Sequence, residues 1–66
     1  MTATIRCFHV HTEQGHVYGV AAHGKTEAKL MVQARLSVEE TGDRPTKAED
    51  FGSWPGVPYG TVLNYH

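Results

Sequence analysis

The chain has 66 residues and a mass of 7.3 kDa, which is enough for a single domain over residues 1–66 and too little for a two-lobed enzyme or a barrel. Its 39% hydrophobic and 20% charged residues are typical of a folded protein, and its formal net charge of −1 is not the basic balance of a nucleic-acid binder. The only cysteine, Cys7, cannot form an internal disulfide, and no apolar run is long enough for a membrane span or a signal peptide, so we expect a cytoplasmic protein.

The first third of the chain predicts a β-hairpin. Residues 3–11 and 16–22 are rich in β-branched and aromatic side chains, and a turn that ends at Gly15 separates them. With His11 opposite His16, one face contains Phe8, Val10, Val17, Gly19 and Ala21, and the other contains Ile5, Cys7, His9, His11, His16, Tyr18, Val20 and Ala22. Neither face is polar, and a shift of one residue would exchange them. The pattern therefore does not decide which face a helix covers.

A helix is predicted from about Glu27 to Thr41, with Thr26 as its N-cap and Gly42 as its stop. Two apolar stripes run along it, and a small sheet can cover only one of them. One stripe contains Leu30, Met31, Ala34 and Val38, and the other contains Ala28, Val32 and Leu36. We expect the sheet to cover the first stripe.

The last third predicts a short helical turn, a loop and a strand. Residues 46–49 match a capping box, which predicts one helical turn through Phe51 that stops at Gly52. The prolines in residues 53–58 exclude a central strand there, and residues 60–65 predict the last strand. The expected fold is α+β, a three-stranded, mainly antiparallel sheet (β-β-α-β) with one amphipathic helix on one face. Its expected core is Phe8, Val10, Val17, Ala21, Leu30, Met31, Ala34, Val38, Val62 and Leu63.

The histidines of the hairpin are the candidate metal ligands. His9 and His11 share a strand face, and the assumed register sets His16 across from His11, so three imidazoles could converge on a metal ion or sense pH. The alternative is that they are solvent-facing polar residues near the hairpin tip. No nucleophile with an orienting third group is present, because Cys7 and His9 lack one. We expect no enzyme activity, no cofactor and no native metal site.

More apolar side chains are present than one helix on three strands can cover. Contiguous exposed apolar groups usually mark an interface, and the aromatic, glycine- and proline-rich segment 51–60 could supply rigid anchors. The sequence therefore predicts a non-enzymatic module that docks on another protein and can form a homodimer, in the manner of small regulators and inhibitors encoded by phages and other mobile elements. The predicted partner-binding residues are Trp54, Tyr59, Tyr18, Val32 and Leu36.

Nucleic-acid binding is the alternative function. Four of the six basic residues fall within residues 1–38, together with only two acidic ones. Basic residues at the start of a helix could contact phosphates. The residues predicted for this alternative are Arg6, Lys25, Lys29 and Arg35.

Overall fold

A computed structural model describes residues 4–65 and confirms the α+β class. It contains one helix, α1 (Lys25–Glu39), and four strands: β1 (Arg6–Thr12), β2 (Val17–Ala22), β3 (Pro45–Ser53) and β4 (Val62–Asn64). The strands form one sheet in the order β3-β1-β2-β4, with every neighbouring pair antiparallel. The prediction of three strands is therefore corrected to four, and the predicted start at Ala3 lies outside the described residues.

The hairpin between β1 and β2 is confirmed, but its predicted register is wrong by one residue. His11 pairs with Val17, and Val10 pairs with Tyr18. The Thr12 N–H donates to the His16 carbonyl (3.0 Å), so these two residues close the hairpin and only residues 13–15 connect them, one fewer than expected. Gly15 has a φ of 86°, and its N–H donates to the Thr12 carbonyl (3.1 Å). A three-residue loop with a left-handed glycine is a common hairpin connection. The shift moves Tyr18, Val20 and Ala22 onto the face that α1 covers.

The core forms between this face of the hairpin and one stripe of α1. It contains Phe8, Val10, Tyr18, Val20, Ala22, Ala28, Val32 and Leu36, with Met31, Ala48 and Val62 packed against it. The predictions for Phe8, Val10, Met31 and Val62 are confirmed. Ala21 is fully buried as predicted, although it lies on the opposite face of the sheet. The predictions for Val17 and Leu63 are wrong, because these residues lie on that opposite face and are not fully buried.

The choice of helix stripe is also opposite to the prediction. Leu36 is 2% exposed, whereas Leu30 is 60% and Val38 81% exposed, and Ala34 also faces solvent. The small side chain of Ala28 lets the first turns of the helix approach the sheet closely, directly after the short connection from Ala22. The short connection therefore favours burial of the stripe that begins at Ala28.

The helix begins and ends two residues earlier than predicted. Its N-cap is Gly24 rather than Thr26. Its C-cap is Glu40, which has a φ of 54° and donates its N–H to the Leu36 and Ser37 carbonyls, so the left-handed stop precedes the predicted one at Gly42. Asp43 then ties the following segment to the hairpin, since its Oδ1 accepts the N–H groups of Gln14 (3.1 Å) and Arg44 (2.9 Å).

The predicted helical turn over residues 46–51 is wrong, because this segment is strand β3. A capping box satisfies only two backbone donors, whereas the strand forms a ladder along β1 and packs Ala48 against the core. Tertiary contacts therefore override the local helix signal. Residues 54–61 form the expected loop without a strand, and β4 is shorter than the predicted strand 60–65. Within residues 4–65, α1 is too short and too polar to cross a membrane.

Candidate functional site on the open sheet face

The sheet has a face that α1 does not cover, here called the open face. It consists of alternate side chains of all four strands and the residue that follows β4. Within residues 4–65 no helix lies on this face. Phe51 is 58% exposed, and Leu63 and Tyr65 are each 43% exposed. The open face comprises Lys47, Glu49, Phe51, Cys7, His9, His11, Val17, Gly19, Ala21, Leu63 and Tyr65.

Three rings form a row across the middle of the open face. The His9 ring lies 4.0 Å from the Phe51 ring and 5.2 Å from the Tyr65 ring, measured between centroids. Phe51 and Tyr65 lie at opposite edges of the sheet, so His9 links them. Such contacts restrict the rings before any partner arrives, which lowers the entropy cost of binding.

Gly19 makes room for this row. A Cβ atom at position 19 would lie 2.5 Å from Cε2 of Tyr65 and 2.6 Å from its hydroxyl oxygen. The Tyr65 backbone is held in place because its N–H donates to the Val17 carbonyl (2.7 Å). The missing side chain at Gly19 therefore lets the Tyr65 ring lie over β2.

The charged end of the open face lies beside this row, near the hairpin tip. His11 Nε2 and Glu49 Oε1 are 2.6 Å apart. This hydrogen bond and the positive charge of Lys47 lower the pKa of Glu49. The Glu49 carboxylate is therefore ionised at neutral pH and can only accept, so His11 Nε2 must carry the proton.

Cys7 lies half-buried on the same face and has a free thiol. Burial raises the pKa of this thiol, and the negative charge of Asp50 raises it further. A raised pKa disfavours the nucleophilic thiolate. Cys7 therefore contributes apolar surface rather than a reactive group.

The predicted partner-binding residues separate into two groups. Tyr18, Val32 and Leu36 are buried in the core, so the expectation that they lie uncovered is wrong. The reason is the one-residue register shift together with the choice of helix stripe. Trp54 and Tyr59 lie in the loop between β3 and β4, where Trp54 is half-buried and Tyr59 is exposed.

Both loop aromatics take part in contacts that hold the loop. The Trp54 N–H donates to the Ile5 carbonyl (2.9 Å). The Tyr59 ring stacks on His23 at 4.6 Å. A hydrogen bond to the Glu27 carboxylate raises the pKa of the Tyr59 hydroxyl. These contacts fix the loop to the start of α1 and to the residue that precedes β1.

The four basic residues of the nucleic-acid alternative do not form one patch. Arg6 Nε donates to both Asp50 oxygens (2.9 and 3.1 Å), and Arg35 Nε donates to Glu39 (2.9 Å). Arg35 is ten residues along the helix from Lys25, which separates them by about 15 Å along the axis and by roughly a quarter turn. Lys25 and Lys29 remain as neighbours on the first turns of α1.

The three hairpin histidines also do not converge. His16 precedes β2 and is bonded to Thr12, Val17 takes the predicted place opposite His11, and His9 lies between two aromatic rings. Among residues 4–65, no group of three or more His, Cys, Asp or Glu side chains is arranged to hold a metal ion.

The sequence predictions do not bring Phe51, Leu63 and Tyr65 together on one surface. Segment 51–60 is predicted to supply interface anchors, but Phe51 is predicted in a helical turn and Leu63 in the core. Residues 47–51 show no strict alternation, because Glu49 and Asp50 are both charged, so no sequence signal places Phe51 on a strand face. Comparison of the chain with protein-family models, with curated proteins and with solved structures gave no match.

Proposed function

We propose that the protein is a non-enzymatic binding module that docks another protein on its open face and thereby regulates or inhibits it. The observation that supports this function is the row of half-exposed rings formed by Phe51, His9 and Tyr65, with Leu63 beside it. Aromatic side chains are enriched in the centres of protein interfaces and often dominate their binding energy.

The charge distribution on the open face defines the chemistry of the partner. Glu49 lies opposite His9 and is hydrogen-bonded to His11, so the charged groups of the face lie on the β3 side of the His9 ring, whereas β2 and β4 contribute uncharged residues to this face. A partner surface that matches the part formed by β2 and β4 is apolar. It can also offer hydrogen-bond acceptors or donors to the His9 ring and the Tyr65 hydroxyl at the rim. We propose such a surface on a folded protein as the ligand.

The outer side of α1 is the weaker candidate for the same role. Leu30, Ala34 and Val38 are exposed there, but they are aliphatic and separated along the helix by polar residues. Isolated apolar side chains on a surface are common and need no function. The free thiol of Cys7 fits a reducing compartment, so we also propose that docking takes place in the cytoplasm.

Quantitative affinity capture from the cells that encode the protein tests this proposal. The baits are the wild-type chain, Phe51→Ser and Leu63→Ser, with Leu30→Ser as the matched control on the outer side of α1. The proposal expects a protein that the wild type and Leu30→Ser retain and that both open-face variants lose. Titration of that protein should then show affinity at least about tenfold weaker for Phe51→Ser.

Two results would overturn the proposal. One is a partner that the open-face variants bind normally and Leu30→Ser does not. The other is binding of single-stranded or duplex nucleic acid at low salt that is lost in the double variant Lys25→Ala, Lys29→Ala and weakens steeply with added salt. The second result would favour the nucleic-acid alternative through the lysines at the start of α1.

A further inference from the structure

The backbone edge of strand β3 is a second feature that the fold leaves open. The strand spans nine residues at one edge of the sheet, whereas β4 at the other edge spans three. Within residues 4–65 no strand lies beyond β3. An edge strand presents unpaired backbone N–H and C=O groups, which can form a ladder with a strand of another molecule.

The side chains of β3 restrict which strand can pair with it. Residues 47–50 pair with β1 in continuous register, and the register shifts lie on either side of them. Lys47 and Glu49 lie on the open face, opposite His11 and His9, while Ala48 lies between them on the face towards α1. A matching strand must therefore present a negative charge opposite Lys47 and a positive charge opposite Glu49.

We propose that β3 pairs with β3 of a second copy of this chain, antiparallel and with Ala48 opposite Ala48. Two copies related by a two-fold axis through this point would extend the sheet continuously. Each Lys47 then lies opposite Glu49 of the other copy, so the charge pair forms twice. Centring on Lys47 or on Glu49 instead would place like charges opposite one another, which is unfavourable.

The end of α1 lies near the same edge of the sheet, since Glu40 lines a cleft together with Pro45 of β3. The two-fold axis reverses the direction of one helix relative to the other.

The charges also explain why this pairing is selective. Lysine and proline on an edge strand discourage pairing with arbitrary strands, and β3 contains Lys47 and begins at Pro45. In the register centred on Ala48, however, Lys47 lies opposite Glu49 of the other copy, so the lysine attracts the second copy. This inference does not depend on the proposed docking function, because the pairing follows the backbone edge of β3, although the Lys47 and Glu49 side chains lie on the open face.

Sedimentation equilibrium of the purified chain tests the proposal between about 10 µM and about 1 mM at low salt. We expect a monomer–dimer equilibrium for the wild type. Lys47→Glu and Glu49→Lys each place like charges opposite one another twice, and each should weaken dimerisation about tenfold or more. Arg35→Glu changes the net charge by the same amount as Lys47→Glu but lies on α1 rather than on the edge strand, and should leave the equilibrium unchanged.

The register is tested by exchanging the charges. The double variant Lys47→Glu, Glu49→Lys recreates both opposite-charge pairs and should dimerise again. A mixture of the two single variants should form a heterodimer, because each supplies the charges that the other requires. Far-UV circular dichroism of every variant confirms that the chains compared are folded.

Two outcomes would overturn the proposal: a wild type that remains monomeric throughout the concentration range, or a dimer that Lys47→Glu leaves unchanged. Leu63→Ser separates this proposal from the docking function, since Leu63 lies on β4 at the far edge of the sheet. That variant should dimerise normally while losing the partner protein. Loss of its dimerisation would place the contact on the open face and contradict pairing through β3.

Discussion

Gly19 is the position at which a single missing side chain shapes the candidate site. Its Cα hydrogens are all that separates β2 from the Tyr65 ring, and the Tyr65 ring in turn contacts His9. The Tyr65 ring lies on the open face and is 43% exposed, so a larger residue at position 19 would displace the ring and rearrange the open face without disturbing the core on the other side of the sheet.

Gly19→Ala should therefore displace the Tyr65 ring while the protein stays folded. The new Cβ atom would approach the ring to about 2.5 Å, which no pair of carbon atoms tolerates. The NMR signals of the His9 ring should shift, because they lose the ring current of Tyr65, and partner affinity should fall. Gly24→Ala is the matched control, since nothing lies within 4 Å of a Cβ there. Unchanged His9 signals in Gly19→Ala would contradict the arrangement.

Asp43 ties the end of α1 to the hairpin, and its charge should make the fold sensitive to acid. Burial raises the pKa of its carboxyl group. Hydrogen bonds from the Thr12 hydroxyl and from the N–H groups of Gln14 and Arg44 outweigh this effect, so the pKa lies below its ordinary value of 3.8. A group whose pKa is lower in the folded state stabilises the fold above about pH 4, and this contribution is lost as the pH falls through the folded-state pKa.

Asp43→Asn should accordingly melt at a lower temperature than the wild type at neutral pH. The difference between the two melting temperatures should shrink as the pH falls from about 5 to about 2, because the wild-type carboxylate becomes protonated over this range. Thermal unfolding followed by circular dichroism measures it, with Glu40→Gln as an exposed control. A difference that stays constant with pH would show that the charge of Asp43 is not what stabilises this contact.

The helix shows why a pattern with two apolar stripes was insufficient to choose a core. Both stripes have helical spacing, and the sheet selects the one that begins with the small residue Ala28. The same limit applies to the hairpin, in which both faces contain apolar residues and a three-residue loop changes the register by one. The elements themselves were predictable; the faces on which they meet depend on close packing that periodicity does not encode.

Leu36→Ala and Leu30→Ala should separate the two stripes experimentally. Leu36 is 2% exposed and packs in the core, so its truncation should cost about 2–5 kcal/mol. Leu30 is 60% exposed, and its truncation should change the free energy of unfolding by less than about 0.5 kcal/mol. Urea unfolding measures both. A larger loss for Leu30→Ala would mean that the helix packs on the stripe that the sequence first favoured.

Strand β3 shows a conflict between local and distant interactions. Residues 46–49 fit a helix start, yet the extended form bonds Glu49 to His11 and Asp50 to Arg6 and packs Ala48 on the core. These partners lie about 40 residues away in the chain, so no local pattern reveals them. The open face was hidden for this reason, since Phe51 reaches it only because β3 is a strand.

The molecule as a whole has the class that the sequence predicts, α+β, with one helix on an antiparallel sheet. The expected excess of apolar side chains is present, but it lies at other residues. Val32 and Leu36 are covered, while Phe51, Leu63 and Tyr65 are exposed. The number of apolar side chains can be counted from composition. Which of them are exposed depends on which side of the sheet the helix covers.

Site-specific photo-crosslinking in the cells that encode the protein tests the role of the open face most directly. A benzoylphenylalanine replaces Leu63 on the open face or, in a matched chain, Leu30 on the outer side of α1. We predict a covalent adduct with one partner protein from position 63 and none from position 30. Adducts from position 30 alone, or no adduct from either position, would contradict the assignment of the open face as the docking surface.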